Sequence, residues 1–156
     1  MKKYFILFLI VYNSQLAFSQ IHDENGKLEW FTNFEKAKEK AQQENKPILM
    51  LFTGSDWCPP CRIMHRELFN NQDFINIASK TVLVFVDFPK RNPLPTEQRV
   101  QNMELNRKFH GGGVPTFVAI TPDEKVLGKK SGYRRGGQAY YVNFFKNMIQ
   151  KLSAQE

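Results

Sequence analysis

Apolar residues fall along this chain in two rhythms, and the change from one to the other marks out helices and strands. Phe34, Ala37 and Ala41 recur at the i, i+3, i+7 spacing with Lys36, Lys38, Glu39 and Lys40 between them, which predicts an amphipathic helix ending near Asn45, before Pro47. The run from Thr32 to Glu35 has the Ser/Thr-x-x-Glu form of a helix start, and LEWF (28–31) ahead of it reads as a short strand or turn. PILMLF (47–52) and TVLVFVDF (81–88) are apolar runs of strand length with no sustained polar alternation, the pattern of strands covered on both faces. Between them, Pro59 and Pro60 mark a helix beginning at or just after Cys58, because proline is tolerated in a first turn whose N–H groups have no partner. That helix should run to Leu68 or Phe69, with a shorter one over 73–79.

A proline-rich loop (89–96) then leads to a segment of helical composition (97–109) and a glycine loop that enters a strand (111–120). The turn TPDEK (121–125), a strand (126–133) and a closing helix from about 138 to 152 complete the chain, with Tyr141, Phe144, Phe145, Met148 and Leu152 as that helix's apolar face. The order β-α-β-α-α-β-α-β-β-α contains no internal repeat. It predicts one α/β domain, a central mixed sheet with helices on both faces.

The first residues stand outside this pattern. Lys2 and Lys3 precede an uncharged apolar run from Tyr4 to Tyr12, and Ala17-Phe18-Ser19 offers small residues where a signal peptidase reads. The run is about half the roughly 20 residues that a spanning helix needs, so residues 1–19 are expected to be a cleaved signal peptide, 20–27 a linker and 28–156 the domain. Cleavage after Ser19 leaves 137 of the 156 residues, a length that suits a single core. It also lowers the net charge from +7 to +5, since the leader carries two lysines and no acid. Lys and Arg are scattered among acids, apart from GKKSGYRRGG (128–137), which reads as a solvated strand end and turn; nucleic acid is not expected as a partner. No heptad or long exposed apolar stripe calls for an oligomer, and a monomer is expected.

An exported chain meets an oxidising compartment, where disulfides persist. The chain has two cysteines, Cys58 and Cys61, in GSDWCPPCR (54–62). A bridge across so short a loop removes little unfolded-chain entropy, so the pair has to be explained by its chemistry. At the junction of a buried strand and a helix N-terminus, free N–H groups and the helix dipole favour a thiolate. Cys58 is therefore expected to be the more acidic and more exposed thiol and the attacking nucleophile. Cys61, nearly one turn later and deeper, is expected to resolve the mixed disulfide. Half a zinc or copper site has the same spacing, but no other cysteine is present to complete one. His65 shares the helix, with His22 and His110 elsewhere. No metal or other cofactor is expected, and His65 is read as a helix residue near the site.

WCPPC (57–61) after an apolar strand, with GVPT (113–116) entering a later one, resembles the thioredoxin superfamily, and the likeness runs from about Phe34 to Leu152. The resemblance implies a thioredoxin-like fold and a thiol:disulfide oxidoreductase. It further implies that Pro115 is a cis-proline lying against the cysteines, that Val114 presents backbone groups to an extended substrate, and that Trp57 and Gly132 border the same surface. Two departures stand out. The aspartate that thioredoxins bury six residues before the first cysteine is Phe52 here, its lysine partner is missing from VLVFVD, and Asp56 and Asp87 lie in a loop and at a strand end. The long loop at 89–96 resembles exported members, including those that exchange electrons with membrane thiol transporters. Pro60 stands where strong oxidants of the superfamily have histidine, which points to a reductase of exported protein disulfides recharged by a membrane thiol donor. A thiol oxidant or disulfide isomerase is the alternative, and a non-catalytic metal (copper) carrier or binding module the second.

Overall fold

The computed structural model describes residues 20–22, 26–110 and 112–153; the leader expected at 1–19 lies outside the described residues. Its strands are β1 (Gln20–His22), β2 (Glu29–Phe31), β3 (Ile48–Thr53), β4 (Val82–Asp87), β5 (Thr116–Ile120) and β6 (Val126–Ser131). Its helices are α1 (Phe34–Glu44), α2 (Pro59–Leu68), α3 (Gln72–Ala78), α4 (Thr96–Leu105) and α5 (Gln138–Ser153). The strands form one mixed sheet in the order β1-β2-β4-β3-β5-β6. β4 runs parallel to both β2 and β3, and the other neighbours are antiparallel.

All six residues of β3 are buried, because the strand is paired on both edges and covered on both faces. Strand alternation sends its side chains to two separate cores. Ile48, Met50 and Phe52 join Val84, Val86 and Val118 under Phe34, Ala37 and Ala41 of α1 and Leu105 of α4. Leu49 and Leu51 join Phe117 and Ala119 under Met64 and Leu68 of α2, Phe74 of α3, and Tyr141, Phe145 and Met148 of α5. The three α1 positions picked out by spacing are the buried ones of that helix, and it stops at Asn45, which takes the left-handed conformation.

Several boundaries differ from the sequence reading. Gln20–His22, expected within a linker, adds an edge strand antiparallel to β2. α1 is capped by Asn33 and not by Thr32: the Asn33 side chain accepts from the Lys36 N–H at 3.0 Å, while the Thr32 carbonyl accepts from Gln98 and Gln101. The helix expected over 97–109 is α4 up to Leu105 and then one wider π-helical turn, Asn106–His110. That turn packs Phe109 against Phe34, 6.1 Å between ring centroids, a packing gain that plain helical periodicity does not anticipate.

Sheet register brings four separate stretches to one end of the molecule. The parallel pairing of β3 with β4 sets Thr53 beside Asp87, and the antiparallel pairing of β3 with β5 sets Phe52 beside Thr116. Thr116 in turn faces Ser131 of β6. The loops that follow β3, β4 and β6 and the one that precedes β5 therefore converge.

Candidate active site

Cys58 and Cys61 meet where β3 hands over to α2, and they are joined by a disulfide. Cys58 is the N-cap of α2, with Pro59 and Pro60 in the first turn, and its Sγ accepts from the Cys61 N–H at 3.3 Å. Two helix N–H groups that would have needed partners are absent at the prolines, and a third points at sulfur. A negative charge on Cys58 Sγ would meet that N–H and the positive end of the helix. Both thiols are buried, Cys58 at 3% exposure and Cys61 at 0%, so the exposed nucleophile expected from the sequence is not seen. The reason is that GVPT lies over the pair.

The Val114 carbonyl oxygen stands 3.8 Å from Cys58 Sγ. The Val114–Pro115 peptide bond is cis. Pro115 is buried and Val114 half-buried. Thr116, the next residue, is fixed by its hydroxyl, which donates to the Gly113 carbonyl and contacts the Ser131 hydroxyl, each at 2.8 Å. Gly132 is held from both sides: its N–H donates to the Pro115 carbonyl at 2.8 Å, and its own carbonyl accepts from the Tyr141 hydroxyl. With φ at +74° it occupies a conformation that a side chain would strain. Burial pushes the Tyr141 phenol up to about 12, so it remains a donor at every physiological pH.

Trp57 is 37% exposed and packs against Gly54, where a Cβ would come within 2.5 Å of the indole. Its Nε1 donates to the Phe88 carbonyl at 2.7 Å, and Lys90 Nζ stands 4.1 Å from the ring centroid. The two acids read as loop and strand-end residues bind the approach to the cysteines together. Asp87 accepts from the Ser55 N–H and from the Ser55 hydroxyl. The Asp56 carboxylate accepts from the N–H groups of Lys90, Arg91 and Asn92 and so ties the proline-rich loop to the turn before Cys58.

These amide bonds, the Lys90 one foremost, hold the Asp56 carboxyl below its usual value. Because the folded-state pKa is depressed, the tie is intact above the ordinary aspartate value of about 4 and is lost as pH falls through the lower, folded value. Asp56→Ala is expected to remove it at neutral pH. Amide exchange at Lys90 and Arg91 should rise to match the neighbouring loop, and unchanged protection would show that the loop is held by something else.

Sequence reasoning missed Gly54, Ser55, Tyr141 and Glu67, the last of which accepts from the Tyr133 hydroxyl and the Gly136 N–H. Only Gly54, a small residue directly between strand and tryptophan, carried a local signal. His65 is half-buried, stacked on Phe69 at 4.7 Å with Nε2 3.4 Å from Thr53 Oγ1. Desolvation lowers its pKa to about 4, so at neutral pH it brings no positive charge to the α2 turn that carries Cys61. Phe52, in the place of the thioredoxin aspartate, is fully buried in the α1 core. Among the described residues no group of three or more His, Cys, Asp or Glu is placed to hold a metal ion.

A Cys-x-x-Cys disulfide capping a helix, beneath a cis-proline loop in this sheet, defines a thiol:disulfide oxidoreductase. A family model described as thioredoxin-like matches residues 29–122. The chain is 36% identical over 124 residues to a Chlamydia pneumoniae protein named disulfide bond reductase DsbH, an alignment covering 79% of this chain and 74% of that one. It is 28% identical over 105 residues to thioredoxin-related protein DsbJ of the same organism, covering 67% of this chain and 30% of the relative. A solved structure of a DsbH oxidoreductase matches with a TM-score of 0.72 at 35% identity, over 79% of this chain and 85% of that one. The chain belongs to the thioredoxin-like family.

Proposed function

We propose that the chain is an exported disulfide reductase of the periplasm or the secreted fraction, with Cys58 as nucleophile and Cys61 as resolving thiol. The capping of α2 by Cys58 Sγ is the observation that carries this assignment of roles. In the reduced protein the Cys58 thiolate attacks one sulfur of a substrate disulfide. That bond breaks, one substrate thiolate leaves and takes up a proton, and a mixed disulfide forms. Cys61 loses its proton and attacks Cys58 Sγ, the second substrate thiolate leaves, and the Cys58–Cys61 bridge closes. Two electrons have passed to the substrate. The bridged form is the product of that turnover, and a membrane thiol donor supplies the two electrons that reopen it. Val114 and Pro115 hold an extended substrate over Cys58, and Trp57 and Gly132 border it.

The direction is supported by Pro60 in the turn between the cysteines and by the name of the Chlamydia pneumoniae relative. A reduction potential near that of thioredoxin, about −270 mV, is expected for the pair in graded thiol buffers. A value near about −120 mV would make the protein an oxidant. Cys61→Ser is expected to accumulate mixed disulfides through Cys58, seen as thiol-cleavable adducts on non-reducing gels; a variant that turns over without trapping any would remove Cys61 from the resolving role.

A further inference from the structure

Ion pairing among the described residues is concentrated at one end of the sheet. The five ion pairs found among the described residues (Lys38 and Lys108 with Glu124, Lys40 and Lys46 with Glu44, Lys125 with Asp123) lie at the end of the sheet where β3 begins and β5 ends. The end that carries the cysteines is organised in the opposite way. Lys90 and Arg91 follow β4, Arg62 is on the first exposed position after Cys61, and Arg134 and Arg135 follow β6. All five are exposed, and among the described residues none is in an ion pair, although the Arg91 charge also acts on the Asp56 carboxylate. Three acids stand among them, and each is committed to the protein's own loops: Asp56 to the amides of Lys90, Arg91 and Asn92, Asp87 to Ser55, and Glu67 to Tyr133 and Gly136. A fourth, Glu97, stands in the first turn of α4.

Two of these acids also decide where the bases sit. Asp56 fixes the backbone of Lys90 and Arg91 on one side of the disulfide, and the Lys90 ammonium is set over the Trp57 ring. Glu67 fixes the turn bearing Arg134 and Arg135 on the other side, the turn joined to Pro115 through Gly132. The rim is thus held in place by half-buried carboxylates, which a merely solvated loop does not require.

On the reading above of a reductase for peptide disulfides, we infer that this rim selects partners whose reacting cysteines are flanked by acidic residues. Lys90 and Arg91 follow β4 and Arg134 and Arg135 follow β6, strands on opposite sides of β3 in the sheet, so an extended peptide docked over Val114 and Pro115 has bases to either side. The occupant is an acidic polypeptide segment. An anionic lipid surface would touch the rim as well, but it offers no disulfide to the pair between the bases. Charge complementarity of this kind acts mainly on the rate of encounter and is screened by salt.

The test is single-turnover reduction by the dithiol form of the mature protein, followed by tryptophan emission. It uses two cyclic peptides, each closed by one disulfide and differing only in Asp/Glu or Lys/Arg residues beside the cysteines. A small neutral dialkyl disulfide is the reference. The acidic peptide is expected to react at least about tenfold faster at low ionic strength, and the ratio should fall toward one in 1 M salt, where the screening length is about 3 Å. Lys90→Glu with Arg91→Glu, and separately Arg134→Glu with Arg135→Glu, should each shrink or reverse the ratio when both peptide rates are divided by the same variant's rate on the neutral disulfide. Equal rates for the two peptides, with the neutral disulfide reduced normally, would overturn the inference and leave the reductase standing. Failure to reduce the neutral disulfide would overturn the reductase itself. Equal peptide rates accompanied by binding to phosphatidylglycerol vesicles that the glutamate variants lose would reassign the rim to a lipid surface.

Discussion

Cys58→Ser is expected to bring the reduction of insulin or of a model disulfide down to the spontaneous rate, a loss of about a thousandfold or more. The serine hydroxyl cannot take the charge that a thiolate carries at neutral pH, so neither the Cys61 N–H nor the end of α2 has anything to stabilise. Cys61, fully buried behind it, cannot take over the attack. The fold should survive the change. A bridge between residues three apart contributes about 2 kcal/mol or less on the chain-entropy account, and serine remains a good helix cap. Activity and urea unfolding measured on the same sample separate the two effects. Retained activity would end the redox assignment, and an unfolded variant would mean the bridge matters for stability after all.

Phe117→Ala is expected to cost about 3–5 kcal/mol, read as a shift in the urea midpoint at constant slope. Phe117 is fully buried, with ring centroids of Phe145 at 4.9 Å, Tyr141 at 5.9 Å and Phe74 at 6.1 Å. These neighbours come from α3 and α5 and cannot all collapse into the void at once. The residue lies two positions beyond Pro115, and Tyr141 carries the hydroxyl that holds Gly132. Loosening this cluster should therefore reach the site: in the variant that remains folded at low urea, peptide reduction is expected to slow more than reduction of a small disulfide, because under the proposed binding role of Val114 and Gly132 only the peptide needs those edges in register. A loss below about 1 kcal/mol would show that the neighbours repack freely and would remove the link between this core and the loop.

The two predictions rest on features that differ in how far the sequence reveals them. The cysteine pair and its place at a helix start are written in one short stretch, WCPPC, whose meaning depends on residue type and near neighbours, whereas a proline lying over it was implied by the resemblance that GVPT carries. The helices were legible for the same reason. Phe34, Ala37 and Ala41 repeat with the period of the helix itself, and a proline or a left-handed asparagine stops the chain locally. Where a local rule competes with a distant partner, sequence reasoning went astray. Thr32 looked like a cap by pattern, yet Gln98 and Gln101 occupy its carbonyl and Asn33 does the capping. The helix over 97–109 widens at Asn106 because Phe109 finds Phe34, a contact between residues far apart in the chain.

By itself the sequence determined the α/β class, the order of the elements from β2 onward and a cysteine pair at a helix start, because hydrophobic period, helix-start chemistry and the Cys-x-x-Cys spacing are properties of consecutive residues. Only the tertiary structure decided what surrounds that chemistry: Asp56 tying down the Lys90 loop, Asp87 holding Ser55, and Tyr141 fixing Gly132 beneath Pro115. Each of those contacts depends on sheet register, and a shift of one residue would turn every side chain of a strand to the other face. Register is set by the summed packing of both cores, which no single stretch of sequence contains.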